Sequence, residues 1–131
     1  MFRIIFALIL VLNLKADEMK IVFITQSGKV LATLNDSRVA RDFYSLLPLK
    51  IELKDYAGAE KYARLVRPLE VASEPSTDGK MGDISYFAPW GNFVIYYKNQ
   101  PFYEGIIRLG RFDGDFSAVI NSKNVEIKAV K

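Results

Sequence analysis

Residues 82–92 read GDISYFAPWGN and residues 93–98 read FVIYYK. Both runs are rich in β-branched and aromatic residues, and a Gly91-Asn92 break lies between them. Such residues favour strands, whereas glycine and asparagine favour turns. This stretch therefore predicts two neighbouring β-strands joined by a tight turn, and it sets the expectation of a mainly-β fold.

Strand alternation divides the aromatic residues of this stretch between two faces of a sheet. It places Tyr86, Ala88 and Trp90 on one face and Phe87 and Pro89 on the other. Only one of the two sets can belong to the core. Clustered aromatic side chains form peptide-binding grooves, and core packing explains the same pattern, so both interpretations stay open.

Further strands are predicted on both sides of the central stretch. Lys20–Thr25 and Val30–Leu34 form a β-hairpin in which Gly28 supplies the turn. Towards the carboxyl terminus, residues 104–112 supply another strand, and residues 125–130 alternate between apolar and polar side chains as a terminal strand.

One principal α-helix is predicted, over about residues 37–47. A polar residue among positions 35–37 can cap its start, and Pro48 ends it. Four apolar residues then share one helical face: Val39, Phe43, Leu46 and Leu47.

The remaining segments complete a mainly-β domain. Residues 49–53 alternate as a half-buried strand, and Tyr62–Val66 is a further strand. Residues 73–82 are turn formers throughout and predict a long polar loop, while Phe116–Ile120 is ambiguous. About eight short strands and one helix predict a closed or nearly closed β-barrel, because closure removes most exposed strand edges.

Residues 1–16 resemble a secretory signal peptide. A short basic start precedes the apolar run Ile4–Leu12, and Ala16 offers a small residue for cleavage. The run is shorter than the roughly 20 residues of a membrane-spanning helix, so no permanent span is expected after cleavage. We expect a single domain over residues 17–131 in a periplasmic or secreted protein, or a cytoplasmic product if translation starts at Met19.

Composition excludes several functional classes. The chain contains no His and no Cys, which removes the usual zinc sites, thiol nucleophiles and His-based triads. The net charge of +3 falls to +1 once Arg3 and Lys15 are removed, and basic residues form no stripe, so no nucleic-acid partner is expected. No cofactor and no metal site are predicted, since the acidic turn Asp113–Asp115 offers too few ligands for calcium.

Four segments together resemble the bacterial and archaeal cyclophilin-like domain family. They are LLPL at 46–49, DYAGAEK at 55–61, GDISYFAPWGN at 82–92 and IRLGR at 107–111. The resemblance covers nearly all of the mature chain. It implies a compact cyclophilin-like β-barrel with a helix, found alone or beside flavodoxin-like domains, in a family whose biochemical role is largely undefined.

The resemblance stops short of the catalytic signature of true prolyl isomerases. Those enzymes carry an Arg near a Phe-His or Phe-Phe pair, and His lines their proline pocket, whereas this chain has no His. An Arg promotes isomerisation by hydrogen bonding near the proline amide, which weakens the conjugation behind a rotation barrier of roughly 18–20 kcal/mol. Arg111 is the candidate catalytic residue if the protein is such an enzyme.

Three functions are consistent with the sequence. The leading hypothesis is a barrel that binds a peptide or small ligand in an aromatic-lined groove. The alternatives are a peptidyl-prolyl cis/trans isomerase that uses Arg111 without His, and a non-catalytic module that docks on a partner protein. The candidate ligand-binding residues are Tyr56, Glu60, Tyr86, Trp90, Asn92 and Arg111. Together with Asp55 and Lys61, they either line a pocket or form ordinary ion pairs and core contacts.

Overall fold

The computed structural model describes residues 18–131. The predicted signal peptide, residues 1–16, and its cleavage after Ala16 lie outside the described residues. Within the described part of the chain, no helix combines the length and apolar character that crossing a membrane requires.

Residues 18–131 form eleven strands and two helices. In chain order they are β1 (Met19–Thr25), β2 (Gly28–Leu34), α1 (Arg38–Tyr44), β3 (Leu49–Glu52), β4 (Lys54–Tyr56), β5 (Glu60–Arg64), β6 (Thr77–Gly79), β7 (Asp83–Phe87), β8 (Asn92–Tyr96), β9 (Gln100–Tyr103), β10 (Ile106–Phe112), α2 (Ser117–Ile120) and β11 (Asn124–Ala129).

Nine strands form one antiparallel sheet in the order β3-β11-β1-β2-β10-β7-β8-β5-β4. The two edge strands, β3 and β4, are separated in sequence by Leu53 alone. This connection brings the two edges of the sheet together and makes it a nearly closed barrel. The backbone of Leu53 donates to the carbonyl of Lys123 at 2.7 Å, and its side chain is buried. The predicted mainly-β barrel is confirmed.

Helix α1 packs on the barrel core through a short apolar face. The Ser37 hydroxyl accepts a hydrogen bond from Ala40 N and caps the helix. Val39, Ala40 and Phe43 are fully buried, and the Phe43 ring stacks on Phe93 with centroids 5.1 Å apart. Aromatic stacking of this kind adds about 1 kcal/mol to the gain from burial.

The helix is shorter than the predicted range of about 37–47. It ends at Tyr44, because the following backbone tightens to bonds three residues apart: Leu46 N donates to Phe43 and Leu47 N donates to Tyr44. The Ser45 hydroxyl also donates to the carbonyl of Asp42. Leu46 and Leu47 still pack against the core, so the apolar spacing was read correctly although the helical range was not.

The number of strands also differs from the prediction of about eight. Strands β6 and β9 pair as a separate two-stranded sheet, and β6 lies inside residues 73–82, which were predicted to be loop. The ambiguous segment Phe116–Ile120 contains α2. The extra strands are very short, and short strands carry little periodic signal.

The sheet has two differently covered faces at β5, β7, β8 and β10. The inner face carries Tyr86, Phe93 and Ile95 into the main core. The outer face carries Val94 and Tyr96, which belong to a second apolar cluster. The β6–β9 pair covers this outer face: a Cβ placed on Gly79 would lie 2.8 Å from the Tyr96 ring.

Candidate functional site

A cavity of about 350 Å³ lies on the outer face of the sheet, beside β9. We call it the aromatic pocket, because five of its nine lining residues are aromatic. The aromatic members are Tyr56, Phe87, Trp90, Tyr96 and Tyr103, and the others are Glu60, Gln100, Pro101 and Ile106.

Strand register brings three of these residues into one row across the sheet. Tyr56 lies opposite Glu60 in the β4–β5 pair, and Glu60 lies opposite Tyr96 in the β5–β8 pair. Directly opposed residues share a face and have Cβ atoms about 4.5–5.5 Å apart. The Glu60 carboxylate is therefore held between two phenol rings.

A tight turn fixes the start of this row. Ala57 and Gly58 both have positive φ, 57° and 63°, and Ala59 N donates to the carbonyl of Tyr56 at 3.1 Å. Two successive positive φ values are typical of the type I′ turn, whose twist matches that of a hairpin. The chain reverses over residues 57–59, and Tyr56 and Glu60, which flank this loop, pair directly across the hairpin.

Asp55 secures the same hairpin. Its carboxylate accepts hydrogen bonds from the Tyr97 hydroxyl and from Gly58 N, the latter at 3.0 Å, and it lies 3.4 Å from Lys61 Nζ. The Tyr97 hydrogen bond is the main cause that lowers the pKa of Asp55, with Gly58 and Lys61 contributing. Asp55 and Lys61 thus form a pair that stabilises the turn, outside the aromatic pocket.

Edge-to-face contacts build the aromatic wall of the pocket. The Trp90 ring meets Phe87 at a centroid distance of 5.3 Å and an angle of 89°, and it meets Tyr56 at 6.4 Å and 81°. Tyr103 from β9 meets Phe87 at 5.9 Å. Trp90, Tyr56 and Tyr103 are each about half exposed or more, so their rings border the opening.

Two ionisable residues, Glu60 and Tyr96, line the pocket without a side-chain hydrogen bond or ion pair among the residues that the structure describes. Burial, followed by the nearby charge of Asp55, raises the pKa of Glu60. Burial, followed by the charges of Glu60 and Asp83, raises the pKa of Tyr96 well above its ordinary value. Within residues 18–131, no hydrogen bond contributes to either shift. Tyr96 as a whole is only 2% exposed, and its raised pKa keeps the hydroxyl neutral, so the hydroxyl can form a hydrogen bond at the pocket.

The structure places Arg111 away from this pocket. Its Nη1 donates to the fully buried carboxylate of Asp83, and its Nη2 donates to the carbonyl of Met81 at 3.2 Å. Arg108 Nε donates to the other Asp83 oxygen at 2.8 Å. Arg111 therefore anchors the turn before β7 and is not among the residues that line the aromatic pocket.

Tyr86 and Asn92 also lie outside the aromatic pocket. Tyr86 is 2% exposed and lies in the main core, where its hydroxyl accepts a hydrogen bond from Leu69 N at 3.1 Å. Asn92 lines a second groove that adjoins the pocket and shares Tyr56, Glu60 and Trp90 with it. Of the predicted ligand-binding residues, the pocket itself brings together Tyr56, Glu60 and Trp90.

Tyr86 and Ala88 share one face, as alternation predicts, but Trp90 does not lie on that face. Tyr86 faces the core and Ala88 packs against it, whereas Trp90 contacts Phe87 on the outer side. Strand β7 ends at Phe87, and Gly91 N bonds back to the Phe87 carbonyl at 2.9 Å in a turn. Alternation no longer applies in a turn, so parity could not place Trp90.

The sequence interpretation missed most of the other pocket residues. Alternation places Phe87 on the face opposite Tyr86, which was a usable signal for this residue. Tyr103, Gln100 and Pro101 lie on β9, which was not predicted as a strand. Within residues 18–131, no group of three or more acidic side chains is placed to hold a metal ion.

Comparison with known proteins supports the fold. The pattern described as the cyclophilin-like family matches residues 23–129. The solution structure of a hypothetical protein from Archaeoglobus fulgidus is similar, with a TM-score of 0.68 at 15% identity, over 88% of this chain and 98% of that one. No curated protein sequence matches this chain.

Proposed function

We propose that this chain, which belongs to the cyclophilin-like family, is a binding module that holds a small ligand in the aromatic pocket. The observation that carries this proposal is the pocket itself: five aromatic side chains, Tyr96 among them, surround a cavity that is also lined by Glu60. Cyclophilin-like folds and catalysis are separable, so the proposal rests on the site and not on the fold.

The chemistry of the lining supports a small ligand. The volume of the aromatic pocket, about 350 Å³, falls in the range of roughly 300–1,000 Å³ that is usual for ligand pockets. Aromatic rings supply apolar contact area at low entropic cost, and a few polar groups set the orientation of a bound molecule. Gln100, Glu60 and Tyr96 are the polar groups available for this purpose.

Two further expectations stay predictions. Isomerase activity would depend on Arg111, whose guanidinium donates hydrogen bonds to Asp83 and to the Met81 carbonyl. Arg111 does not line the aromatic pocket, so the pocket gives no support to isomerase activity. Export after cleavage at Ala16 is tested by mass spectrometry of protein recovered from the cell envelope.

The proposal is tested by NMR titration of the protein with a set of small organic fragments and an Xaa-Pro peptide. We expect fragments to shift the resonances of Trp90 and Tyr103, and we expect Tyr103→Ala to weaken that binding. Phe102→Ala is the matched control, since Phe102 is a neighbouring exposed aromatic residue on β9 that does not line the pocket.

Binding that is equally unaffected by Tyr103→Ala and Phe102→Ala contradicts the proposed site. Shifts that are confined to the surroundings of Arg111, together with faster cis/trans exchange of the peptide, would replace the proposal with the isomerase alternative.

A further inference from the structure

The charge distribution of the aromatic pocket is one-sided. Among residues 18–131, Glu60 is the one charged residue that lines it, and no Lys or Arg does so. Around Glu60 stand phenol and indole rings, including Tyr56 directly opposite it in the sheet. Aromatic rings carry partial negative charge on their faces. Both the charged group and the rings therefore favour a positive charge in the cavity.

We propose that the pocket binds an organic ammonium ion, with Glu60 opposite the cationic nitrogen and the aromatic rings around its substituents. This inference rests on the proposed function and names the ligand class for the same pocket. Cations that carry methyl groups suit such a site, because their charge is spread over an apolar surface that aromatic faces accommodate. A strongly hydrated inorganic cation would need several oxygen ligands, which this lining does not supply.

The hydroxyl of Tyr96 adds a second recognition group at the pocket. Burial is the main cause that raises its pKa, and no hydrogen bond contributes to the shift. The hydroxyl is therefore neutral and available to a ligand. A hydroxyl or carbonyl oxygen on the ligand would form a hydrogen bond with it, so we expect the preferred cation to carry an oxygen as well.

Charges on neighbouring elements limit the competing effects. Asp55 on β4 adds negative charge, which Lys61 partly neutralises at 3.4 Å. Lys54 and Arg64 line the adjoining groove, together with Glu52, and none of these three lines the aromatic pocket. Lys54 and Arg64 therefore belong to the adjoining groove, where only a longer ligand would meet them.

Protonation of Glu60 supplies a specific signature. A cation needs the ionised carboxylate, so bound cation must lower the pKa of Glu60, and binding at weakly acidic pH must release protons. The free group has a raised pKa. Affinity is therefore expected to fall as the pH drops through a range above the ordinary value of about 4.3.

The test compares choline with dimethylbutanol, its uncharged carbon isostere, by calorimetry on the protein. The two probes have the same shape and differ in charge. We expect choline to bind at least about tenfold more tightly than the isostere, a difference that corresponds to about 1.4 kcal/mol. Glu60→Gln should remove that preference, and Glu52→Gln, in the adjoining groove, should leave it intact.

Each outcome decides one of the two proposals. Equal binding of choline and the isostere, lost together in Tyr103→Ala, overturns the ammonium inference and leaves the binding module standing. Failure of both probes to bind also overturns the inference, while the fragment titration independently judges the pocket. A preference for choline that survives in Glu60→Gln contradicts the role given to Glu60.

Discussion

Two carboxylates on the outer face of the same sheet have opposite surroundings. Asp83 on β7 is fully buried and accepts hydrogen bonds from Arg108, Arg111 and the backbone N of Lys80. Glu60 on β5 is half-buried, faces a cavity, and is held between Tyr56 and Tyr96. The first group is completely satisfied by the protein and the second is not.

This difference distinguishes the structural role of Asp83 from the binding role that we propose for Glu60. A buried charge with all its partners present fixes the chain around it, and removing one partner leaves the others desolvated. A charge at a cavity without protein partners weakens the fold, and it retains its capacity to interact with a ligand. The same chemical group, a carboxylate, thus secures the turn before β7 in one place and lines the aromatic pocket in the other.

The largest effect is expected for Asp83→Asn. The substitution keeps the shape of the side chain but removes the charge that Arg108 and Arg111 share. Breaking a buried ion pair from one side costs about 3 kcal/mol or more. We expect a loss of that size in the free energy of unfolding, measured by urea denaturation monitored through Trp90 fluorescence.

Asp113→Asn is the control for the loss of Asp83. Asp113 also forms an ion pair, with Lys20 at 2.8 Å, and bonds the Thr33 hydroxyl, but it is about one-third exposed. Solvent screens such pairs, so its loss should be much smaller. Equal losses for Asp83→Asn and Asp113→Asn would mean that burial does not distinguish the two carboxylates.

Gly79→Ala is expected to act next most strongly, by loosening the cover of the pocket. A Cβ at this position would lie 2.8 Å from three atoms of the buried Tyr96 ring, so β6 or the ring must move. Overpacking of this kind costs about 1–3 kcal/mol. Thermal unfolding should show the loss, and ligand binding in the pocket should weaken with it.

Gly114→Ala is the matched glycine control. No heavy atom lies within 4 Å of a Cβ built at Gly114, and its φ is not in the left-handed region. The free energy of unfolding of Gly114→Ala should stay within about 0.5 kcal/mol of that of the original protein. If Gly79→Ala is tolerated equally well, the β6–β9 pair does not press on Tyr96 as described.

Glu60→Gln should stabilise the protein slightly, and only above acidic pH. Because the folded-state pKa of Glu60 is raised, its contribution to stability is fully present below the unfolded pKa of about 4.3 and is lost as the pH rises through the folded pKa. The amide does not ionise. We expect a small gain in the free energy of unfolding at neutral pH and none near pH 4.

The free energies of unfolding of the original protein and of Glu60→Gln should converge as the pH is lowered. Asp55 provides the opposite reference, because its lowered pKa makes its stabilisation present above the ordinary pKa and lost as the pH falls. A Glu60→Gln variant that is less stable than the original protein at neutral pH would show that Glu60 has a structural partner.

The elements that sequence predicts well here are those specified by nearby residues. The β1–β2 hairpin and the β7–β8 pair follow from alternating runs around short turns, and the start of α1 follows from the cap at Ser37. Each of these signals lies within a few residues of the element that it specifies. Three pocket residues, Tyr56, Glu60 and Trp90, were also found as aromatic or acidic residues next to turns.

The missing half of the pocket depends on a pairing between distant segments. Thr77 pairs with Tyr103, and Gly79 pairs with Gln100, across more than twenty residues. Each strand has three or four residues, and Asp78-Gly79 is a typical turn dipeptide. The local sequence pattern therefore predicts a loop at residues 77–79. In the structure, Gly79 packs closely on the Tyr96 ring and pairs with Gln100, and both contacts involve residues distant in sequence.

A gain in stability is also expected from Ala57→Asn. Ala57 has a φ of 57°, a left-handed conformation that costs an L-residue about 1–2 kcal/mol. Asparagine tolerates this conformation, and Asn-Gly is the preferred pair for a type I′ turn. Since Gly58 already occupies the second turn position, we expect a gain of about 0.5–1 kcal/mol by thermal unfolding.

Tyr56 and Glu60, which line the pocket, flank this turn. The Ala57→Asn variant therefore tests whether backbone strain at residue 57 affects ligand affinity. Ala57→Asn keeps the turn geometry and should leave ligand affinity unchanged. Gly58→Ala, at a φ of 63°, places a Cβ in the left-handed region and should lose stability instead. If Ala57→Asn gained stability but lost affinity, the strained alanine would be part of the binding site, and the pocket would depend on the shape of the turn as much as on the charge of Glu60.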